Sequence, residues 1–391
     1  MYLKHAKVLA DKQANLTIKD VVITVPPYYG IPERYALIDA IQLAGLNPLS
    51  FIHENTAAAL YYAIERKDEN KTHTVLFYNL GSTSLKVSLV EFSMENSTEK
   101  NEKNKKYESF TVLADAWEEN VNGYLFDINL AKWLADNFDN QPSRKGKNKA
   151  RDSPSAMAKI LKEANKAKEV LSANKETSVY IESLIDDVDL KATIQRSQFE
   201  ELNQAEFQLL TAPIQKVLEA TGKTLADIDA IEVLGGALRV PKVQQILQDF
   251  VGKNTEVGAH MNGDEAMALG TSFHAASLSS SFKTRTIYMN DGLNFEIYAT
   301  IRGLGDEDEG EEGSQAGEKF EKNTTLFGVK QKLGSKKALT FTYDKDLKVI
   351  LFTRGPNGEE EIFTTYRITK VSDIASVVIS QLGNVLTLFR Q

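Results

Sequence analysis

Cysteine is absent from the 391 residues, so the chain has no disulfide framework and no thiolate nucleophile. That absence does not name a compartment. Histidine is scarce, and His5, His53, His73, His260 and His274 are scattered without metal-ligand spacing. That pattern favours surface or packing roles over a histidine-ligated metal. No apolar run approaches the roughly 18 residues that a membrane-spanning helix needs, so no membrane insertion is expected. The opening MYLKHAKVLADKQANL lacks the apolar stretch of a secretory leader. Basic excess is lacking too: 46 Lys and Arg face 54 Asp and Glu, a net charge of −8. Nucleic acid is therefore a poor partner, because neutralising phosphates needs a basic surface.

What is present is ordinary globular composition, 42% apolar and 26% charged, over a length that suits two or three cores. Four Asn-x-Ser/Thr sequons, at Asn15, Asn70, Asn96 and Asn323, permit a secretory location without showing one. VVITV, 21–25, reads as a buried strand ending at Pro26-Pro27. Pro32 and Gly45 bracket a helix. Residues 55–67 read as a second helix with Asn55 as cap, 74–80 as a buried strand, and 84–92 as a strand alternating with period two. A polar stretch, 93–106, suggests a loop or hairpin tip, and QPSRKGKNKARDS, 141–153, a solvated basic loop. Ser153-Pro154 opens a periodic helix through Leu171. A strand pair turns at Asp186-Asp187. A helix over 197–221, a strand over 229–234, a helix from Pro241 and a last helix from Asp264 to Ser277 follow. Strands alternating with helices predict an α/β fold.

After residue 280 the pattern changes. Phe295, Ile297, Ala299 and Ile301 share a period-two face. So do Leu339, Phe341 and Tyr343, then Leu347, Val349 and Leu351, then Ile362, Thr364, Tyr366 and Ile368. With the turn at Pro356-Asn357-Gly358, this predicts an all-β module, interrupted by a disordered acidic loop at 306–318.

Chemistry concentrates in glycine turns that follow apolar strands. Glycine lets a phosphate approach the backbone, and hydroxyl neighbours add donors. Asn79-Leu80-Gly81-Ser82-Thr83-Ser84 joins two strands, which makes a hairpin-type phosphate loop or a plain turn. Gly235-Gly236-Ala237-Leu238-Arg239 leads from a strand into a helix. There an adenine or ribose could lie on the backbone with Arg239 stacked on the base, or the turn could be merely tight. Lys168 and Ser172, four apart on one helical face, could hold ribose hydroxyls or be ordinary surface residues.

In order, IHENTAAAL (52–60), NLGSTS (79–84), VNGYLFD (121–127), EANKAKEVLSAN (163–174), VLGGALRVPKVQ (233–244) and NGDEAMALG (262–270) resemble successive signatures of the Hsp70 superfamily. HENTAAAL, the serine-bearing loop, KEANKAK, VLSAN and LIDDVDLKA (184–192) favour the large, Grp170-like branch of the endoplasmic reticulum. The resemblance implies actin-like (ribonuclease H-like) ATPase lobes around an ATP/ADP and Mg²⁺ cleft. It divides the chain into a partial first lobe (1–68), a second lobe (69–258), a return helix (259–280), a linker (281–285) and a partial β-sandwich substrate domain (286–391).

By matched position, Gly81, Ser82 and Thr83 would meet the phosphates, with Gly123 nearby. Lys168 and Ser172 would face ribose and adenine, and Gly235, Gly236 and Arg239 the adenosine. Glu54 and Asp264 match acidic cleft positions near metal-bound water, and no residue is assigned as a metal ligand. Pro26 and Arg34 match a switch coupling nucleotide to substrate domain. Implied partners are unfolded polypeptides and a conventional Hsp70, the latter served by nucleotide exchange.

Three departures stand out. Family members begin upstream with another strand–phosphate-loop unit and a catalytic lysine, so the first lobe is expected to be incomplete and the isolated chain poorly soluble. Asn79 and Lys86 replace loop carboxylates, so hydrolysis is expected to be weak or absent. Asn165 replaces the glutamate that touches ribose. Two competitors are an inert fragment and a sugar or metabolite kinase of the same fold. The kinase would need a catalytic carboxylate and a sugar pocket, and would not end in a β-module.

Overall fold

A computed structural model describes residues 1–65, 72–97, 105–252, 257–258, 261–304, 320–331, 335–342, 346–355, 358–369, 374–382 and 385–390. The acidic segment 306–318, Asn70, His260, Tyr343, Pro356 and Asn357 lie outside them, as do the side chains of Leu339 and Phe341. The chain divides into two compact units. One comprises 1–63, 95–113 and 268–391; the other comprises 64–94 and 114–267.

The second unit is built on β3 (His73–Leu80), β4 (Leu85–Asn96), β8 (Ala230–Leu234) and β9 (Val257–Gly258). Strand β3 pairs antiparallel with β4 and parallel with β8, and β8 pairs parallel with β9. The end of β5 (Lys106–Glu118) also belongs here, from residue 114 on. Val75 to Tyr78 are fully buried in succession, as expected of a strand covered on both faces. Strand β4 does not alternate as expected: Lys86 and Ser88 are buried with their apolar neighbours, and Ser88 donates to Asp115. Strand β5 was readable from Phe110, Val112, Ala114 and Ala116, all buried at spacing two.

Helices α4 (Gly123–Asp139) and α5 (Pro154–Ala173) follow, then the hairpin β6 (Glu176–Ile185) and β7 (Val188–Gln195). Ser153 caps α5, accepting from the Ala156 amide, and Asp186 and Asp187 turn the hairpin with positive φ. The expected helix over 197–221 is three pieces: α6 (Arg196–Leu202), α7 (Gln204–Phe207) and α8 (Ala212–Thr221). Buried Asn203 donates to the Phe199 carbonyl and breaks the first junction; Pro213 starts α8 afresh. The basic loop 141–153 is pinned at Arg144, which is buried, bonds Asp186 at 2.6 Å and lies over the Phe138 ring. Helix α9 (Pro241–Val251) completes the unit's main elements.

In the first unit, α1 (Tyr2–Ala14) precedes β1 (Asp20–Val25), α2 (Ile31–Leu43), β2 (Asn47–His53) and α3 (Glu54–Glu65). Strands β1 and β2 pair in parallel with a register shift opposite Pro48, which has no amide hydrogen to give. Val25, Ile41, Leu46 and Phe51 form the core beneath α2. Helix α10 (Ala266–Leu278) packs on α3, and β10 (Ile287–Asn290) runs parallel to the first half of β5. Beyond it the described residues form strands alone. β11 (Ile297–Gly303), β12 (Glu321–Phe327), β14 (Leu347–Arg354) and β15 (Glu360–Ile368) make one antiparallel sheet in the order β12-β11-β14-β15. β13 (Lys336–Thr342), β16 (Ile374–Leu382) and β17 (Val385–Arg390) make another. Ile297, Ala299, Ile301, Leu347, Val349 and Leu351 share one core. Ile362 departs from its expected face. A register shift between Leu351 and Phe352 leaves it exposed, and Phe363 packs inward instead.

Candidate functional site

The glycine turns meet at one cavity of about 450 Å³ in the second unit. Gly81, Ser82, Gly123, Lys168, Ser172, Gly236 and Arg239 line it, together with Asp127, Asn165, Glu169, Ala237 and Val240. Three segments that the resemblance assigns to one nucleotide are thus brought to one place.

The turn after β3 closes through the Gly81 amide, which donates to the Ser84 carbonyl at 3.1 Å. Helix α4 clamps it. The Gly123 amide donates to Gly81 O at 2.9 Å and the Tyr124 amide to Ser82 O at 3.1 Å. Asn122 caps α4 through the Leu125 amide and also donates to Thr83 O. The first-turn donors of α4 are therefore spent on fixing the turn. Ser82 and Thr83 are exposed, Ser82 on the cavity wall and Thr83 beside it.

Gly235 lies beneath the wall rather than in it. Its φ is +93°, and a Cβ would stand 2.3 Å from the Leu80 carbonyl oxygen, so only glycine lets the second turn pass the first. Asn79 is buried just below, its Nδ2 3.6 Å from Met267 Sδ, and faces Lys86 across the β3–β4 ladder. Arg239 donates to Asp264 at 2.6 Å, with both side chains more than half exposed.

On α5, Lys168 and Ser172 do share the cavity-facing side. The Ser172 hydroxyl donates to the Lys168 carbonyl at 3.0 Å, and Lys168 Nζ donates to Gly123 O at 3.2 Å. Sequence reasoning passed over Asp127. Its carboxylate takes Lys168 Nζ at 2.8 and 2.9 Å and the Asn165 amide at 3.0 Å. Gly123 and Asp127 are four apart, the spacing that puts two residues on one helical face, so the signal was there to read. The cavity's donors, hydroxyls and glycine edges suit a nucleotide. They suit Mg²⁺ less well, because Asn79 is neutral, Asp127 is paired with Lys168 and Asp264 with Arg239.

Pro26, Arg34 and Glu54 belong to the other unit. Pro26 accepts from the Tyr29 amide in the turn after β1, and Glu54 opens α3, partly buried. Arg34, 3% exposed, donates Nε to Tyr29 O and Nη2 to His53 Nε2, both at 2.9 Å. Burial pulls its guanidinium down to about 10, against the opposing pull of Asp291 and Glu33. Because arginine only donates, His53 carries its proton on Nδ1, which faces Asp291 Oδ2 at 2.9 Å. Thr56 and Lys330 complete the shell of Asp291, at 2.6 and 3.0 Å. Burial alone would raise the Asp291 carboxyl, but Lys330, His53 and Thr56 outweigh it and hold it well below the carboxylate range. In the same unit, Gly270 of the NGDEAMALG segment admits α10 onto α3: a Cβ there would sit 1.8 Å from the Ala57 carbonyl oxygen.

Comparison with known proteins places this arrangement among relatives. The family model described as Hsp70 protein matches residues 1–349. The Arabidopsis thaliana protein Heat shock 70 kDa protein 17 is 35% identical over 379 residues, 95% of this chain and 42% of its own length. Hypoxia up-regulated protein 1 of Danio rerio is 37% identical over 312 residues, 79% of this chain and 31% of its own. The Homo sapiens protein of that name is 37% identical over 299 residues, covering 76% and 29%. The chain thus spans less than half the length of each of these relatives.

Proposed function

This chain belongs to the Hsp70 family, and from that premise we propose that it is the nucleotide-binding part of a Grp170-like chaperone, together with the start of its substrate domain. One observation carries the reading: two glycine turns and the Lys168–Ser172 helix face line a single cavity whose donors suit an adenine nucleotide. In this reading Gly81, Ser82 and Thr83 take the phosphates, near Gly123. Lys168 and Ser172 take the ribose and base, and Gly235, Gly236 and Arg239 the adenosine. Mg²⁺ would travel on the phosphates, since Asp127 and Asp264 are paired with cations. The lobe, linker and β-sandwich boundaries given above belong to the same proposal, as does a switch role for Pro26 and Arg34.

Hydrolysis is expected to be weak, because the neutral amide of Asn79 cannot take a proton from attacking water. A protein that binds nucleotide and turns it over slowly suits holding unfolded chains and exchanging nucleotide on a conventional Hsp70. An endoplasmic-reticulum site follows from the same resemblance. Among the described residues no helix is long and apolar enough to cross a membrane.

Calorimetric titration of the chain with ADP is the test. Saturable one-site binding supports the reading, and no binding at millimolar ADP refutes it. Rapid ATP turnover by a longer version, lost on Lys168→Met, would refute the weak-hydrolysis part.

A further inference from the structure

We propose that Asp127 is a positioning residue of this cavity: it holds the Lys168 ammonium in place, and Asn165 in turn holds Asp127. The inference rests on the nucleotide reading for its ligand but not for its geometry.

A lysine ammonium is a point charge on a flexible four-carbon stem, so a fixed direction must be imposed from outside. Here the imposition is visible. Lys168 Nζ lies 2.8 and 2.9 Å from the two Asp127 oxygens and 3.2 Å from Gly123 O. Both ends are sheltered, with side-chain exposures of 13% for Lys168 and 7% for Asp127. All three groups sit where α4 and α5 pass each other, so the pair also sets the width of the cavity at that point. The Asn165 amide donates to the same Oδ2 that accepts from Lys168, at 3.0 Å, and so steadies the carboxylate beside the ammonium.

Asn165 and Lys168 lie three apart on α5, and Asp127 reaches both from α4. A carboxylate at 165 would confront Asp127 with like charge. The amide removes that conflict and contributes a donor. The residue that departs from the family pattern thus fits Asp127, which supplies the buried negative charge beside Lys168. An ammonium neutralised in this way is a weak attractor of phosphate, but it is well placed to donate to a neutral hydroxyl, while Asp127 can accept from one. The phosphates are left to the glycine turn.

The test has two arms, both on the whole chain. In the first, amine acetylation is followed residue by residue by mass spectrometry. Asp127→Asn, which keeps the side chain's shape, should make Lys168 react severalfold faster while Lys166, already exposed, does not change. In the second, ADP affinity is measured for Asp127→Asn, Lys168→Met and the double variant. Each single change should weaken ADP about tenfold. The double variant should be no weaker than either, because the two act through one another.

Unchanged Lys168 labelling would overturn the proposal, as would single effects that multiply to about a hundredfold in the double variant. If Asp127→Asn fails to fold, Asp127→Glu replaces it in both arms: retained charge should keep Lys168 protected, and loss of protection would count against the claim. A wild-type chain that binds no ADP refutes the nucleotide reading instead, and the labelling arm then decides Asp127 alone.

Discussion

Two buried polar clusters use the same ingredients to different ends. In the first unit, Arg34, His53, Thr56 and Lys330 gather round Asp291, which is 7% exposed, and the set is closed off from water on the sides described. In the second, Lys168 and Asn165 gather round Asp127 at the wall of an open cavity of about 450 Å³. A carboxylate is the hub of each. The closed cluster borders a cavity of only about 10 Å³, room for a water at most, so its polar groups answer chiefly to one another. The open cluster keeps one face toward space that a ligand can fill. An adjoining cavity, rather than residue type or the burial of the hub itself, separates the two networks.

That comparison can be broken by measurement. The largest effect is expected from Asp291→Ala, which removes the buried carboxylate that Lys330, His53 and Thr56 share. Breaking a buried pair in this way typically costs about 3–5 kcal/mol. Urea denaturation should show it, and a loss below about 1 kcal/mol would mean the cluster is wetter than described.

Acid should act on the same hub next. The Asp291 carboxyl is depressed in the folded state, so its contribution is complete above the ordinary carboxylate value of about 3.9 and drains away as pH falls below it. Unfolding midpoints measured from neutral pH downward should fall in wild type and flatten in Asp291→Asn. Parallel curves would remove Asp291 from the account.

Lys168→Met, at the open cluster, should cost less, about 1–2 kcal/mol, because cavity water can solvate the Asp127 left behind. Equal losses for Lys168→Met and Asp291→Ala in the same titration would erase the distinction between open and closed. The smallest change is expected from Arg239→Ala. Its pair with Asp264 is largely exposed on both sides, so thermal stability should move by no more than about 0.5 kcal/mol.

Much of this is legible in the sequence. Strand β3 declared itself by an unbroken apolar run, and helix α5 by Ser153-Pro154 and its period. The cavity was legible as three separate glycine and lysine motifs, and their meeting only through the resemblance to the Hsp70 superfamily, since no local pattern encodes it. Lys86 and Ser88 misled, because polar residues at spacing two suggest a wet face, and only the covering layers show otherwise. Asn203 hid a break inside a helical pattern, since a buried amide that bonds its own backbone looks in sequence like any polar position. Arg144 looked like one more charge in a basic loop until its carboxylate and ring partners came into view. The Asp291 hub was beyond reach: its histidine partner lies 238 positions away, and no local pattern encodes so distant a bond.

Gly270 sets a limit of another kind. A side chain at that point would need to occupy space already filled by the Ala57 carbonyl, so even a methyl group must prise α10 from α3. Copies of this chain diverging elsewhere should keep a bare hydrogen there, whatever happens to the neighbouring exposed Leu269. The position therefore works as a spacer of zero thickness, and tolerance scanning across α10 should find it less permissive than even buried Ala266 and Thr271.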